Sequence, residues 1–133
     1  MSLNDVILAA HAGWRYVVIF VALVALAKFL IGWVGRGHWS KWDRRIGMSV
    51  PLVFDIQLFL GAVLWILTSA WQLTPRQAFE HPVTMLVAVA IAHFAWVRVL
   101  RAPDDTARFR TGFLGYLIAT AVLGLGVWRI TMG

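Results

Sequence analysis

The stretch YVVIFVALVALAKFL, Tyr16 to Leu30, decides the fold class of this chain. One cation, Lys28, interrupts it. Apolar residues extend it to about Val6 and about Val34. A helix of that length crosses a hydrocarbon core of about 30 Å. Three further stretches repeat the pattern: about Ile46 to Leu73, His81 to Leu100, and Gly112 to about Ile130. Hydrocarbon offers no partner to a backbone N–H or C=O, so only helices and closed barrels span it. Period-two alternation of apolar and polar residues is missing, which argues against a barrel. The expected fold is an all-α membrane protein. It is a four-transmembrane-helix, up-and-down bundle that forms a single domain over residues 1–133.

Composition points the same way. Of 133 residues, 61% are hydrophobic and 14% charged. A soluble domain runs at about half apolar and about a quarter charged, and one this small keeps much of its chain wet. Cysteine is absent, which excludes disulfides, thiolate metal sites and cysteine catalysis. The N-terminal MSLNDVILAAH lacks the basic region of a signal peptide, so the first span is expected to be retained.

The net charge of +6 reads as topology charge. Eight of the twelve basic residues sit in two loops. Arg36, Lys41, Arg44 and Arg45 lie between the first two spans; Arg98, Arg101, Arg108 and Arg110 lie between the last two. The positive-inside rule then puts both termini outside. Tryptophan fits the same slab. Trp14, Trp71 and Trp128 fall near the outer ends, Trp33, Trp39, Trp42 and Trp96 near the inner ends, and only Trp65 deep in a span. No nucleic-acid motif is present. The expected surroundings are a lipid bilayer, that of a bacterial inner membrane, and other membrane subunits.

Ionisable residues within a span are costly and therefore informative. They gather at two depths. The outer set is His11 and Arg15 on the first span with Glu80 and His81 on the third. One histidine from each of two helices is the minimum for bis-imidazole ligation of haem b, with His11 and His81 as metal ligands. Arg15 shares a face with His11 and could pair with a propionate. The plainer reading is two interfacial histidines bonded to water, with Arg15 paired to Glu80.

The inner set is Lys28, Asp55 and His93, placed at similar depth by three helices. Together they can neutralise one another. They could form a proton relay, a quinone head-group site, support for a cofactor, or a structural ion pair. Gln57 lies about 200° around the helix from Asp55, so the two face different neighbours. His81 and His93 are about 18 Å apart along the axis and differ in face, which limits the chain to one haem. The small residues Thr111, Gly115, Ala119 and Gly126, and Ala88, Ala92 and Ala95, predict close helix packing.

The motifs HAGWRY (His11–Tyr16), DIQLFLG (Asp55–Gly61) and EHPVTMLVAVAIAH (Glu80–His93) resemble those of small bacterial four-helix membrane proteins labelled cytochrome b-like. The likeness covers the first three helices. It implies haem b or quinone chemistry in an electron-transfer membrane and singles out His11, Gln57, Glu80, His81 and His93. The expected function is a small membrane subunit of a respiratory or photosynthetic electron-transfer assembly, rather than an enzyme by itself. The alternatives are a cofactor-free accessory subunit of a larger complex, or a small proton-coupled carrier built on Lys28 and Asp55.

Overall fold

The computed structural model describes residues 1–132 and contains four long helices. They are α1 (Leu3–Val34), α2 (Lys41–Leu67), α3 (His81–Leu100) and α4 (Asp105–Met132). A 3₁₀ turn at Ala70–Gln72 and a π-helical segment at Arg76–Glu80 connect α2 to α3. All four helices are long and apolar enough to cross a membrane, the third counted from Arg76. No strand occurs among the described residues.

The helix ends differ from the apolar boundaries because capping, not hydropathy, sets them. Ser2 and Asp5 form a capping box that starts α1, and Ser40 and Asp43 form another that starts α2. In α4 the Asp104 carboxylate accepts from the Ala107 N–H at 2.8 Å, so the helix begins at Asp105, well before Gly112. The second apolar run reaches Leu73, yet α2 stops at Leu67. Ser69 adopts a left-handed conformation (φ 51°), which a helix cannot continue through.

Each helix packs on its neighbours in sequence, and α4 closes the ring against α1. The antiparallel order places both termini at one end with the α2–α3 connection. This is the histidine end of the bundle, and the other, with the two Arg-rich loops, is the basic end. The small residues on α3 and α4 serve as the sequence predicts. Ala88, Ala92 and Ala119 are fully buried, and Gly115 meets Ala95 so closely that a Cβ would overlap it.

Two prolines lie inside or at the start of helices, and each is compensated. A proline at position i cannot donate to the carbonyl at i−4. Pro51 thereby frees the Gly47 carbonyl, and the Tyr116 hydroxyl of α4 donates to it at 2.6 Å. Pro82 frees the Ala78 carbonyl, and the Trp65 indole N–H of α2 donates to it at 3.0 Å. Trp65, expected deep in a span, lies two residues from the end of α2 and there closes a backbone hydrogen bond.

Packing is uneven along the bundle axis. Every buried residue of α1 lies between Val18 and Gly32, and every one of α2 between Asp43 and Gln57. Both sets fall mostly in the basic half, with Gln57 marking where buried α2 reaches the histidine end. There Phe29 stacks on Tyr116 (6.0 Å between centroids) and meets Trp39 (5.3 Å) and Phe109 (6.2 Å). Gly32 lies so close to Phe109, and Gly47 to Trp96, that a side chain at either glycine would collide with the ring. Trp39 and Trp96, expected at the interface, belong to this aromatic core. In the histidine half the close packing comes from α3 and α4, where Met85, Ala88, Leu123 and Gly126 are buried and Gly126 lies hard against Met85, and the aromatic contact is Trp65 with Trp71 at 5.1 Å.

Candidate functional site

The site is built where the packing loosens. His11 projects from the third turn of α1, and His81 opens α3. Their rings come together from across the bundle, with centroids 6.3 Å apart and planes nearly perpendicular at 82°. Both rings are half-buried, and the Nδ1 atom of each is buried with no hydrogen-bond partner. A buried polar atom without a partner costs about 1–3 kcal/mol and asks for an explanation. Gly61 of α2 faces the His11 ring, with a Cβ there falling 3.0 Å from Cε1. A larger side chain would push the imidazole aside.

The backbone behind His11 is fixed from α2. Gln57 Nε2 donates to the His11 carbonyl at 2.9 Å, and Trp14 Nε1 donates to the Val53 carbonyl at 3.0 Å. Gln57 is buried and its Oε1 has no partner. It therefore belongs with the histidines and turns away from Asp55, as the helical angle requires.

Three arginines surround the pair. Arg129 of α4 holds Glu80 with two bonds, Nε–Oε1 at 2.7 Å and Nη2–Oε2 at 3.2 Å. The Arg15–Glu80 pair of the plainer reading is therefore not formed; Glu80 is taken by Arg129, which reaches it with two nitrogens. Arg15 lies over the Tyr16 ring at 5.4 Å and makes no ion pair among the described residues. Arg76 lies one turn before His81, with its Nε buried and unpartnered. It lines a recess of about 350 Å³ with Thr74, Pro75 and Glu80. Sequence reasoning missed Arg129 and Arg76 as site residues. Their signal was available: both lie on the side where topology predicts few cations.

The second expected set divides. Lys28 pairs with Asp43 at 2.9 Å, not with Asp55. Asp43 is 2% exposed and its other oxygen accepts from the Ser40 N–H and hydroxyl. The helix-capping aspartate thus doubles as counterion, and Lys28 belongs to the basic end. That set lines a recess of about 340 Å³ with Gly32, Gly35 and His38. Asp55 and His93 do meet, Oδ1 to Nε2 at 2.7 Å, on the outer seam between α2 and α3. His93 is therefore paired on a different seam from the His11–His81 pair.

The donor set at the histidine end is two imidazoles without a third ligand; among the described residues no group of three or more His, Cys, Asp or Glu is assembled for a metal ion. The T-shaped rings, 6.3 Å apart between centroids, bring imidazole nitrogens from two helices into one region with no third side-chain ligand. That donor chemistry is the kind that suits a metal bringing its remaining ligands with it, as haem does. No protein-family model, no curated protein and no solved structure matches this chain.

Proposed function

We propose that this protein is a small integral-membrane electron-transfer subunit that holds one haem b between His11 and His81. The observation that carries the reading is the pair of facing imidazoles, each with a buried, unpartnered Nδ1. Haem, when bound, supplies a one-electron couple at the iron. Everything else is the work of this chain. Gln57 and Trp14 hold the backbone of α1 against α2 and so fix where the His11 ring stands. Gly61 leaves that ring its room. Arg15 and Arg76 offer charge to acidic groups of the ligand, while Glu80 occupies Arg129.

By the positive-inside rule, the two Arg-rich loops support a basic end in the cytoplasm and a histidine end, with both termini, outside a bacterial inner membrane. Electron donor and acceptor would then be partner subunits or a quinone within the bilayer. The test is a pyridine-haemochrome spectrum of protein purified from native membranes. Stoichiometric haem is expected, with loss in His11→Ala and in His81→Ala. A haem-free preparation from those membranes removes the cytochrome reading. Migration only within a large, haem-free assembly on native gels would favour the cofactor-free accessory subunit instead. The carrier reading is weakened because Asp43 occupies Lys28.

A further inference from the structure

Asp55 and His93 pose a separate problem, independent of haem. They lie well inside α2 and α3, on the outward seam of the bundle. Their side chains are 46% and 52% exposed. The surface around them is apolar and exposed: Leu52 and Phe59 on α2, Ala90 and Val97 on α3. Each group has one partner, the other, across 2.7 Å. Among the described residues no Lys, Arg or Glu side chain pairs with either group.

A low-dielectric setting favours a pair with no net charge. In that state Nε2 and Oδ1 share one proton and Nδ1 carries another. The pair therefore presents one unused donor, His93 Nδ1–H, and one unused acceptor, Asp55 Oδ2. Hydrocarbon satisfies neither. The 2.7 Å contact also fixes the two groups at one depth. A two-fold axis along the membrane normal preserves depth. Such an axis brings the donor of one copy to the acceptor of another, and the reverse, in the self-complementary manner of an isologous interface.

We infer that the α2–α3 face is the dimer interface of this protein, with a second copy of the chain as its occupant and the Asp55–His93 pairs closing a four-membered hydrogen-bonded ring across the axis. Ala90, one turn from His93 on the same face, lets the helices approach there.

The chain has no cysteine, so single introduced cysteines report contacts without background. Full-length protein is reconstituted at a low protein-to-lipid ratio and oxidised. Ala90→Cys is expected to give a disulfide-linked dimer, and Ile118→Cys, exposed on α4, at least tenfold less. Adding Asp55→Leu with His93→Leu removes both polar partners together, leaving neither unpaired, and should lower the Ala90→Cys cross-link at least tenfold. The exchange Asp55→His with His93→Asp preserves complementarity and should restore it. A wild-type monomer by native mass spectrometry from nanodiscs overturns the proposal and points to an amphiphile from the bilayer as occupant. A dimer unchanged by the double leucine variant overturns it as well.

Discussion

The two ends of the bundle use the same materials differently. At the basic end, Phe29, Tyr116, Phe109, Trp39 and Trp96 interlock around three glycines, and the charged pair Lys28–Asp43 is matched. At the histidine end, polar side chains sit between helices with partners missing on His11, His81, Gln57 and Arg76. Lipid tails are as apolar as a leucine side chain, so burial alone drives little helix association in a membrane. Close fit must do that work, and the basic end supplies it. A bundle locked at one end can leave polar groups unsatisfied at the other, and unsatisfied groups are what a ligand needs. The contrast teaches that close aromatic packing and unsatisfied polar groups are separated along the axis, and under the proposed function this separates stability from binding.

The largest expected effect breaks the locked end. Phe29→Ala leaves a cavity bounded by rings that cannot collapse into it, and should cost about 3 kcal/mol, the lower part of the usual Phe→Ala range because lipid discounts the transfer portion. Unfolding in mixed micelles measures it. His11→Ala in haem-stripped protein should change stability by less than about 1 kcal/mol in either direction, because it deletes an unpartnered polar atom along with its contacts. Equal losses at the two ends would erase the distinction. Next comes Asp43→Asn, which leaves the Lys28 ammonium without its counterion. A loss of about 2 kcal/mol is expected, below the 3–5 kcal/mol of a fully buried pair because Lys28 is partly exposed. Lys28→Met in the same chain should recover most of it.

Much of this was legible in the sequence, and the limits have physical causes. Apolar run length gives four helices, because a bilayer imposes it. Small-residue stripes give the α3–α4 seam. Helical angle and depth bring His11 to His81 and turn Gln57 from Asp55. Pairing was less legible. Lys28 and Asp55 share a depth, but depth does not fix the face toward which a long side chain bends, and Asp43 reaches Lys28 from the start of α2. Glu80 lies near both Arg15 and Arg129 in depth; only the packing of α4 against α3 selects Arg129. The uneven core was only partly legible: the apolar density of α1 is higher toward the basic end, but density does not say which partner helix stands opposite.

The prolines offer the finest comparison, since one device occurs at both ends. Tyr116→Phe removes the hydroxyl that serves the Gly47 carbonyl freed by Pro51, inside the closed core. The orphaned carbonyl should cost about 2 kcal/mol. Pro51→Ala restores a backbone N–H to that carbonyl, so in its background Tyr116→Phe should cost much less. The difference between the two losses is the coupling energy of a double-mutant cycle. Trp65→Phe makes the equivalent change at the histidine end, where the Ala78 carbonyl is freed by Pro82. Trp65 is only partly buried, so its bond exchanges with the polar surroundings at lower cost, and a loss of about 1 kcal/mol is expected, again reduced by Pro82→Ala. Trp65 also anchors the segment that carries Arg76 and leads into His81. Its loss should therefore weaken haem retention more than Tyr116→Phe does, although it destabilises the fold less. A Trp65→Phe protein that keeps its haem as firmly as the wild type, while Tyr116→Phe loses it, would mean that the locked end, and not the open one, positions the ligand.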